Sequence, residues 1–446
     1  MGAGPAGIGV LIAACNSGHL RALLAKGVVV LEKGSRAGCG QIGDYNINSD
    51  SHAESFLRCL SAGLSERFPE LLTHPATLAL RGYHGRAAPL PLVGNFLKAI
   101  ARRIQSFTAS NGLPLLTGVE ALDASRTGDD RWLIRTRRVA DGVEDSVTSQ
   151  CLVIATGAEQ SAAELRALSV GGARLWPRYE DRLVLSSSIL TKAGLDAARQ
   201  RLAPLSHPKV AIIGGSHSAM SAANALLNIS PAIAWAPGSI AILHRKPMRP
   251  MYQTPALARA DGFDAFNDDD ICAKTGRVFP LAGFRSDSRE LLIRVLGLGS
   301  LPRERRIELI DLPRARVADV AATLEQADII IVATGYRPRD LPLFDCKGRR
   351  IELSGENGGY AMVDSNSRVI DVSGRAVPGV FRLGLSAGFP LAKTHGEASF
   401  HGVANGLSLW NADIGDAIVR AVLDETSNRA GSRRQPAARS ALEQHP

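Results

Sequence analysis

Long apolar runs are missing from this chain: no stretch of about 18 consecutive apolar residues occurs, so a membrane-spanning helix is not expected. The first residues carry no basic leader, and no signal peptide is expected. Cysteine is sparse and scattered, at Cys15, Cys39, Cys59, Cys151, Cys272 and Cys346, with no CxxC pair. That excludes a disulfide framework and a zinc site, and it predicts a reducing, cytoplasmic setting. No carboxylate or cysteine spacing joins His217, His395 and His401 into a metal centre, so no metal is expected. Aromatic residues make up only 5%. No DNA- or RNA-binding module accompanies the net charge of +9, so no nucleic-acid partner is expected. Part of that charge sits at the end, where Arg429, Arg433, Arg434 and Arg439 face only Glu443.

With 446 residues, two or more domains are expected, and 45% apolar residues are ample for their cores. The chain is organised around Gly2-Ala3-Gly4-Pro5-Ala6-Gly7, a GxGxxG that opens an apolar helix, and Glu32 at the end of Val28-Val29-Val30-Leu31. The first glycine permits a tight turn, the second lets backbone approach a pyrophosphate, and the third lets helix and sheet pack closely. The helix N-terminus offers unpaired N–H groups to the phosphates, and the acid accepts from a ribose diol. Glu32 follows Gly7 by 25 positions (32 − 7), against about 20 in the usual motif. Asn16-Ser17-Gly18-His19 is expected to break the first helix and absorb the excess. Only Met1 precedes the motif, where a doubly wound sheet needs its central strand. The natural start is therefore expected to lie upstream.

A second turn lies far downstream. Residues 209–213 read as a buried strand, ended by Gly214-Gly215-Ser216-His217-Ser218-Ala219, and 220–227 as a helix. Gly214, Ser216 and Ala219 take the motif positions, with the serine expected to crowd a pyrophosphate slightly. Two such turns imply two dinucleotides, for which a mild basic bias is suited. The strand 239–243 ends in His244-Arg245-Lys246 rather than in an acid, which favours the 2′-phosphate of NADPH over a bare ribose.

Between and beyond these turns, 46–51 reads as polar and turn-like, 52–64 as a helix, 92–109 as a basic amphipathic helix, and Trp132-Leu133-Ile134 as part of a charged hairpin. Two buried strands, 151–157 and 327–336, end in Ala-Thr-Gly. Such a turn brings backbone close to a cofactor and suits a crossing between domains. The segment 261–270, with Phe263 and Phe266, and 276–285 after it read either as a substrate entrance or as a surface loop.

The order of these motifs resembles the two-dinucleotide-binding-domain flavoproteins of the class B flavin monooxygenase type: GxGPAG, Glu, Ala-Thr-Gly, GGxxSA, Ala-Thr-Gly-Tyr. Three features resemble the N-hydroxylating branch, the ornithine and lysine N-monooxygenases. Residues 214–219 are close to its GGGQSA, Lys393-Thr394-His395-Gly396 is similar to its C-terminal THG, and 45–60 resembles the segment that follows its FAD acid. The chain departs from relatives in lacking FxGxxxH, in Gly384-Leu385 where many have Gly-Asp, and in Ser186 where many have His. It shows no signature for binding an amino-acid side chain.

The resemblance implies an α/β fold of two doubly wound Rossmann-type domains. The FAD domain comprises 1–188 and 337–425, the NADPH domain 189–336 is inserted, and 426–446 is a disordered tail. FAD would be held by Gly2, Gly4, Pro5, Ala6, Gly7, Glu32, Lys33, Gln41, Gly157, Gly384 and Gly396. NADPH would lie on Gly214, Gly215, Ser216, Ser218, Ala219 and Arg245, with Gly335 at the crossing. Lys393, Thr394 and His395 would lie near the flavin, or else merely cap a strand-to-helix junction, and Asn46 would join Gln41 beside flavin or NADP+. The partners implied are O2 and a small-molecule substrate, with a homo-oligomer left open. The activity implied is a monooxygenase that forms a flavin C4a-hydroperoxide and oxidises nitrogen or sulfur. An NADPH-dependent reductase serving a carrier or quinone is the alternative, and a non-catalytic flavin-binding partner is the third reading.

Overall fold

The computed structural model describes residues 1–111, 114–280, 283–355, 362–388 and 406–432. The helix Pro5–Asn16 is buried along almost its whole length. Its residues are small or apolar on every side, and such a helix belongs inside a domain. It packs against the helix Asp413–Ser432 so closely that a methyl group on Gly415 would meet the Ala13 Cβ at 2.7 Å. As expected, the helix stops at Asn16; a second short helix, Leu20–Ala25, fills the extra length before the strand Val30–Glu32.

That strand pairs in parallel with Leu115–Thr117, and Leu152–Ile154 pairs in parallel with Ala376–Arg382. Met1 and Gly2 lie between the two pairs. Gly2 N–H donates to the Leu31 carbonyl, the Met1 amino group donates to Val153, and Ala155 N–H donates to Met1. Two residues thus stand where the doubly wound sheet has its central strand. An antiparallel sheet of Val119–Arg126, Trp132–Arg138 and Glu144–Ser149 crosses this unit, as the charged hairpin predicted.

The second unit is a five-stranded parallel sheet in the spatial order Leu183–Leu185, Ile329–Val332, Val210–Ile213, Ile240–His244, Ile307–Asp311. Its central strands are buried on both faces, as their unbroken apolar sequences require. Helices His217–Leu227 and Ser286–Leu296 contribute Met220, Leu226, Leu291 and Leu292 to one face. Val170, Leu175, Tyr179, Val320 and Leu324 cover the other. The strand Leu183–Leu185 and the stretch from Leu165 to Tyr179, placed in the first unit by sequence, therefore pack on the second sheet.

Three expectations change. The polar stretch 46–51 is mostly the strand Asn48–His52, paired with Ala87–Pro89. The helix expected over 52–64 is two helices, Ala53–Leu57 and Ala62–Arg67. The helix Asp413–Ser432 runs past Thr426, whose buried hydroxyl donates back to the Val422 carbonyl, so the expected tail begins as helix.

Candidate active site

The two Ala-Thr-Gly turns meet. Ala158–Glu159 and Arg337–Pro338 pair antiparallel, Thr156 Oγ1 donates to the Arg339 carbonyl, and Arg339 N–H donates to Gly157. Beside this crossing lies a cavity of about 1350 Å³ with walls from both units.

The first nucleotide turn forms one end. Gly2 has φ +88°, and a Cβ there would collide with the Ala155 carbonyl oxygen; a Cβ on Gly7 would collide with that of Gly2. Gly4 differs: its φ is −70°, and a Cβ would meet nothing nearer than the Gly40 Cα at 3.7 Å. Glu32 accepts from Ala3 N–H at 2.6 Å and Gly34 N–H at 2.7 Å, which locks the strand end to the turn and keeps the carboxylate in the cavity wall. Pro5, Ala6, Lys33, Gln41 and Gly157 also line the wall. Lys33 donates to Glu120 at 2.7 Å, and hydrogen bonds from Lys33 and Arg137 hold the Glu120 carboxyl below its usual range. Gly384, at φ +71°, packs on Ala6, whose side chain a Cβ would meet at 2.5 Å. Asn46 stands outside the wall, tied by its N–H to Leu190.

The second turn reaches the same cavity through His217 and Ser218. Gly214 has φ +133°, a methyl group on Gly215 would meet the His244 Cβ at 2.9 Å, and the Ser216 hydroxyl donates to Ala333 at 3.4 Å. Ala219 is fully buried against the sheet, the close approach that its motif position serves. His217 lies against Phe284 and accepts from Arg285 N–H at Nε2, so its neutral ring carries the proton on Nδ1; burial lowers its pKa. Arg245 is exposed just past Ile240–His244 and is not part of the wall, and neither is Gly335, where a Cβ would meet nothing within 4 Å. Lys393, Thr394, His395 and Gly396 lie outside the described residues.

The fit to two dinucleotides is direct. Both motif helices start without a side-chain cap and without an acidic residue in the first turn, and both open on one cavity. A helix terminus with N–H groups and dipole uncompensated is complementary to a phosphate. The turn geometry at Gly4 leaves room for one that the fold itself does not use.

Three features escaped the sequence reading. Tyr45 and Tyr336 line the cavity from opposite units, their hydroxyls 3.1 Å apart, and burial raises the pKa of both. Their signal was partial: Tyr336 directly follows Ala-Thr-Gly. Asp50 and Arg285 form an ion pair at 3.3 Å between the units, beside a bond from Asn48 to Asp287 at 2.8 Å. The segment 261–285 is neither a simple entrance nor a simple loop. Phe263, Phe279 and Tyr252 form a small core of their own, while Arg277, Pro280 and Arg285 reach the cavity wall. Cys39 is in the wall, but no second cysteine of the described residues is, which leaves a dithiol reductase without its exchange partner.

No protein-family model matches the chain. Over 430 residues it is 30% identical to the CMP-5'-(3-aminopropyl)phosphonate hydroxylase of Streptomyces rubellomurinus, covering 95% of this chain and 96% of that protein. Its fold is similar to the ornithine hydroxylase of Pseudomonas aeruginosa, with a TM-score of 0.57 and 17% identity over 95% of this chain and 97% of that one. It is also similar to the L-lysine 6-monooxygenase of Pseudomonas syringae, with a TM-score of 0.57 and 17% identity over 95% and 98% of the two chains. Two Rossmann-type units sharing one cleft give the chain the fold of the two-dinucleotide-binding flavoproteins. At 30% identity over nearly the whole of both proteins, the chain belongs to the family of that hydroxylase, and it shares its fold with the ornithine and lysine monooxygenases. It is a monooxygenase of a small metabolite. Among the described residues no helix is long and apolar enough to cross a membrane, and no cluster of side chains is arranged to hold a metal ion.

Proposed function

We propose that this chain hydroxylates the primary amine nitrogen of a small aminoalkyl compound bearing a phosphonate or phosphate group. The observation that supports it most is the shared cavity, onto which two uncapped dinucleotide helices open. The relative from Streptomyces rubellomurinus is a hydroxylase of an amine tethered to a phosphonate and a nucleotide, and the cavity wall of this chain includes Arg277, which has no carboxylate partner among the described residues. FAD, reduced by NADPH, supplies the activation of O2 and the transfer of one oxygen atom.

The chain's own residues have the remaining work. Gly2, Gly4, Pro5, Ala6, Gly7 and Glu32 receive the ADP half of FAD, with Lys33, Gln41, Gly157 and Gly384 alongside. Gly214, Gly215, Ser216, Ser218 and Ala219 receive the NADPH pyrophosphate; Arg245, at the strand end, serves its 2′-phosphate. Gly335 keeps the second crossing turn open. Tyr45, Tyr336 and His217 contribute uncharged hydrogen-bonding groups where the units meet. Uncharged, partly buried groups do not stabilise an ammonium ion, so they favour the neutral amine, which is the nucleophilic form.

The test is turnover by FAD-loaded protein with NADPH and O2. Candidate substrates are CMP-5'-(3-aminopropyl)phosphonate, 3-aminopropylphosphonate, ornithine, lysine and cadaverine. The phosphonate amines are expected to yield products heavier by one oxygen, in step with NADPH oxidation. Hydroxylation of ornithine or lysine alone, with the phosphonate amines untouched, would overturn the substrate assignment.

A further inference from the structure

Residues 249–289, beyond the second nucleotide sheet's Ile240–His244 strand, carry five arginines whose partners can be compared. Arg249 lies 4.6 Å from the centre of the Phe279 ring and 3.5 Å from Asp270. Arg259 lies 5.3 Å from that of Phe266. Arg289 lies 4.4 Å from that of Tyr252, donates to the Met251 carbonyl at 2.6 Å and reaches Asp261 at 3.4 Å. Arg285 is paired with Asp50. These four hold the segment together or fasten it to the first unit.

Arg277 differs. It stands in the cavity wall, and the partner of its guanidinium is a neutral one: Nε donates to Gln253 Oε1 at 3.1 Å, and no carboxylate of the described residues lies within ion-pairing distance. In the same wall Lys33, Arg36, Arg285 and Arg339 sit on Glu120, Asp44, Asp50 and Glu159. Its backbone is fixed as well. Cys272 N–H donates to the Arg277 carbonyl at 2.9 Å, and the next residue, buried Val278, exchanges two bonds with Tyr252. With Nε taken by Gln253, the two Nη groups remain as a planar pair of donors, the arrangement that binds a phosphate-type anion through two parallel hydrogen bonds.

We infer that Arg277, oriented by Gln253, is the recognition point for the phosphonate or phosphate group of the substrate. This rests on the substrate reading above. Phosphate also occurs on NADPH, so the test must separate the two sources.

The experiment uses the full-length, FAD-loaded protein. KM is measured for 3-aminopropylphosphonate, for 3-amino-1-propanol as the analogue without the anionic group, and for NADPH, and binding of CMP-5'-(3-aminopropyl)phosphonate is followed by calorimetry. Arg277→Gln is expected to raise the KM for the phosphonate about 10- to 100-fold, with a parallel loss in calorimetric affinity, while the KM for NADPH moves less than about twofold. Arg277→Lys recovers part of the loss. Gln253→Glu, which keeps a hydrogen-bond acceptor for Nε but neutralises the cation, weakens phosphonate binding in the same direction and serves if the first variant folds poorly. An unchanged KM and affinity for the phosphonates in Arg277→Gln would overturn the inference and leave the substrate reading standing. A rise confined to NADPH would overturn it too, by assigning Arg277 to the dinucleotide. If the wild-type protein neither binds nor oxidises a phosphonate amine, both fall, and that is seen before any variant is made.

Discussion

Gly4 and Gly7 belong to one motif, yet they should fail in different ways when mutated to alanine. At Gly7 the added methyl group runs into the carbonyl oxygen of Gly2. That oxygen is backbone, and Gly2 is itself fixed by its bond to Leu31 and its contact with Ala155, so the clash cannot relax by a rotamer change. Overpacking of this kind costs about 1–3 kcal/mol or more, and in a unit of this size it lowers Tm by roughly 2–10 °C. At Gly4 the backbone is already in a conformation open to alanine, and the nearest atom stands at an ordinary 3.7 Å. Nothing in the protein needs a glycine there. Gly4→Ala should leave the stability of the apoprotein within about 1 kcal/mol of wild type, if anything higher, because the unfolded chain loses freedom. The methyl group would instead occupy the space for the pyrophosphate, and a lost contact of about 1.4–2.8 kcal/mol weakens FAD binding 10- to 100-fold. The assay is thermal unfolding of each apoprotein with and without added FAD, with the dissociation constant taken from the dependence of Tm on FAD concentration. If Gly4→Ala destabilises the apoprotein as much as Gly7→Ala does, or binds FAD as wild type does, the space beside Gly4 is not reserved for a ligand.

Three further outcomes are expected. Burial holds the pKa of His217 below the ordinary value of about 6.5; as pH falls through that value the unfolded chain takes up a proton that the folded one does not. Its contribution to stability is therefore complete above about pH 6.5 and declines toward acid by up to about 1.4 kcal/mol per pH unit, and urea unfolding at pH 5.5 and 7.5 should show a smaller difference in His217→Gln. The Asp50–Arg285 pair is partly exposed, so a double-mutant cycle of Asp50→Asn and Arg285→Gln should give a coupling of no more than about 1 kcal/mol that shrinks in salt; a coupling that survives high salt would contradict a screened contact. Burial pushes the Cys15 thiol up to about 11 and the Cys59 thiol up to about 12, so iodoacetamide should modify exposed Cys346 in the native protein and reach those two only after unfolding, as read by peptide mass.

What the sequence made legible was whatever a single short segment must satisfy by itself. Gly2 and Gly7 are glycine because of a carbonyl oxygen a few ångströms away, and the strands Val210–Ile213 and Ile329–Val332 are continuous apolar runs because both of their faces are covered. Even the break at Asn16 was visible, since a helix cannot absorb the excess spacing before Glu32 without ending. The strand Asn48–His52 was not: Asn-Ser-Asp-Ser-His has the composition of a turn, and its pairing with Ala87–Pro89 comes from distant residues that override that preference.

The same limit explains the site. Tyr45, Asp50 and Arg285 are unremarkable in their own segments, and each gains its meaning from a partner more than two hundred residues away. Local pattern cannot encode such pairs, because either member alone is satisfied by water. Yet Tyr45 with Tyr336 and Asp50 with Arg285 all line the one cavity, so the contacts that join the units also close the space in which both dinucleotides would meet. Separating the units would open that wall to solvent and remove the low-dielectric surroundings that disfavour charge there. The inter-unit pairs are individually weak, but because they sit on the wall itself, their loss should be felt in the coupling of NADPH oxidation to hydroxylation before it is felt in stability.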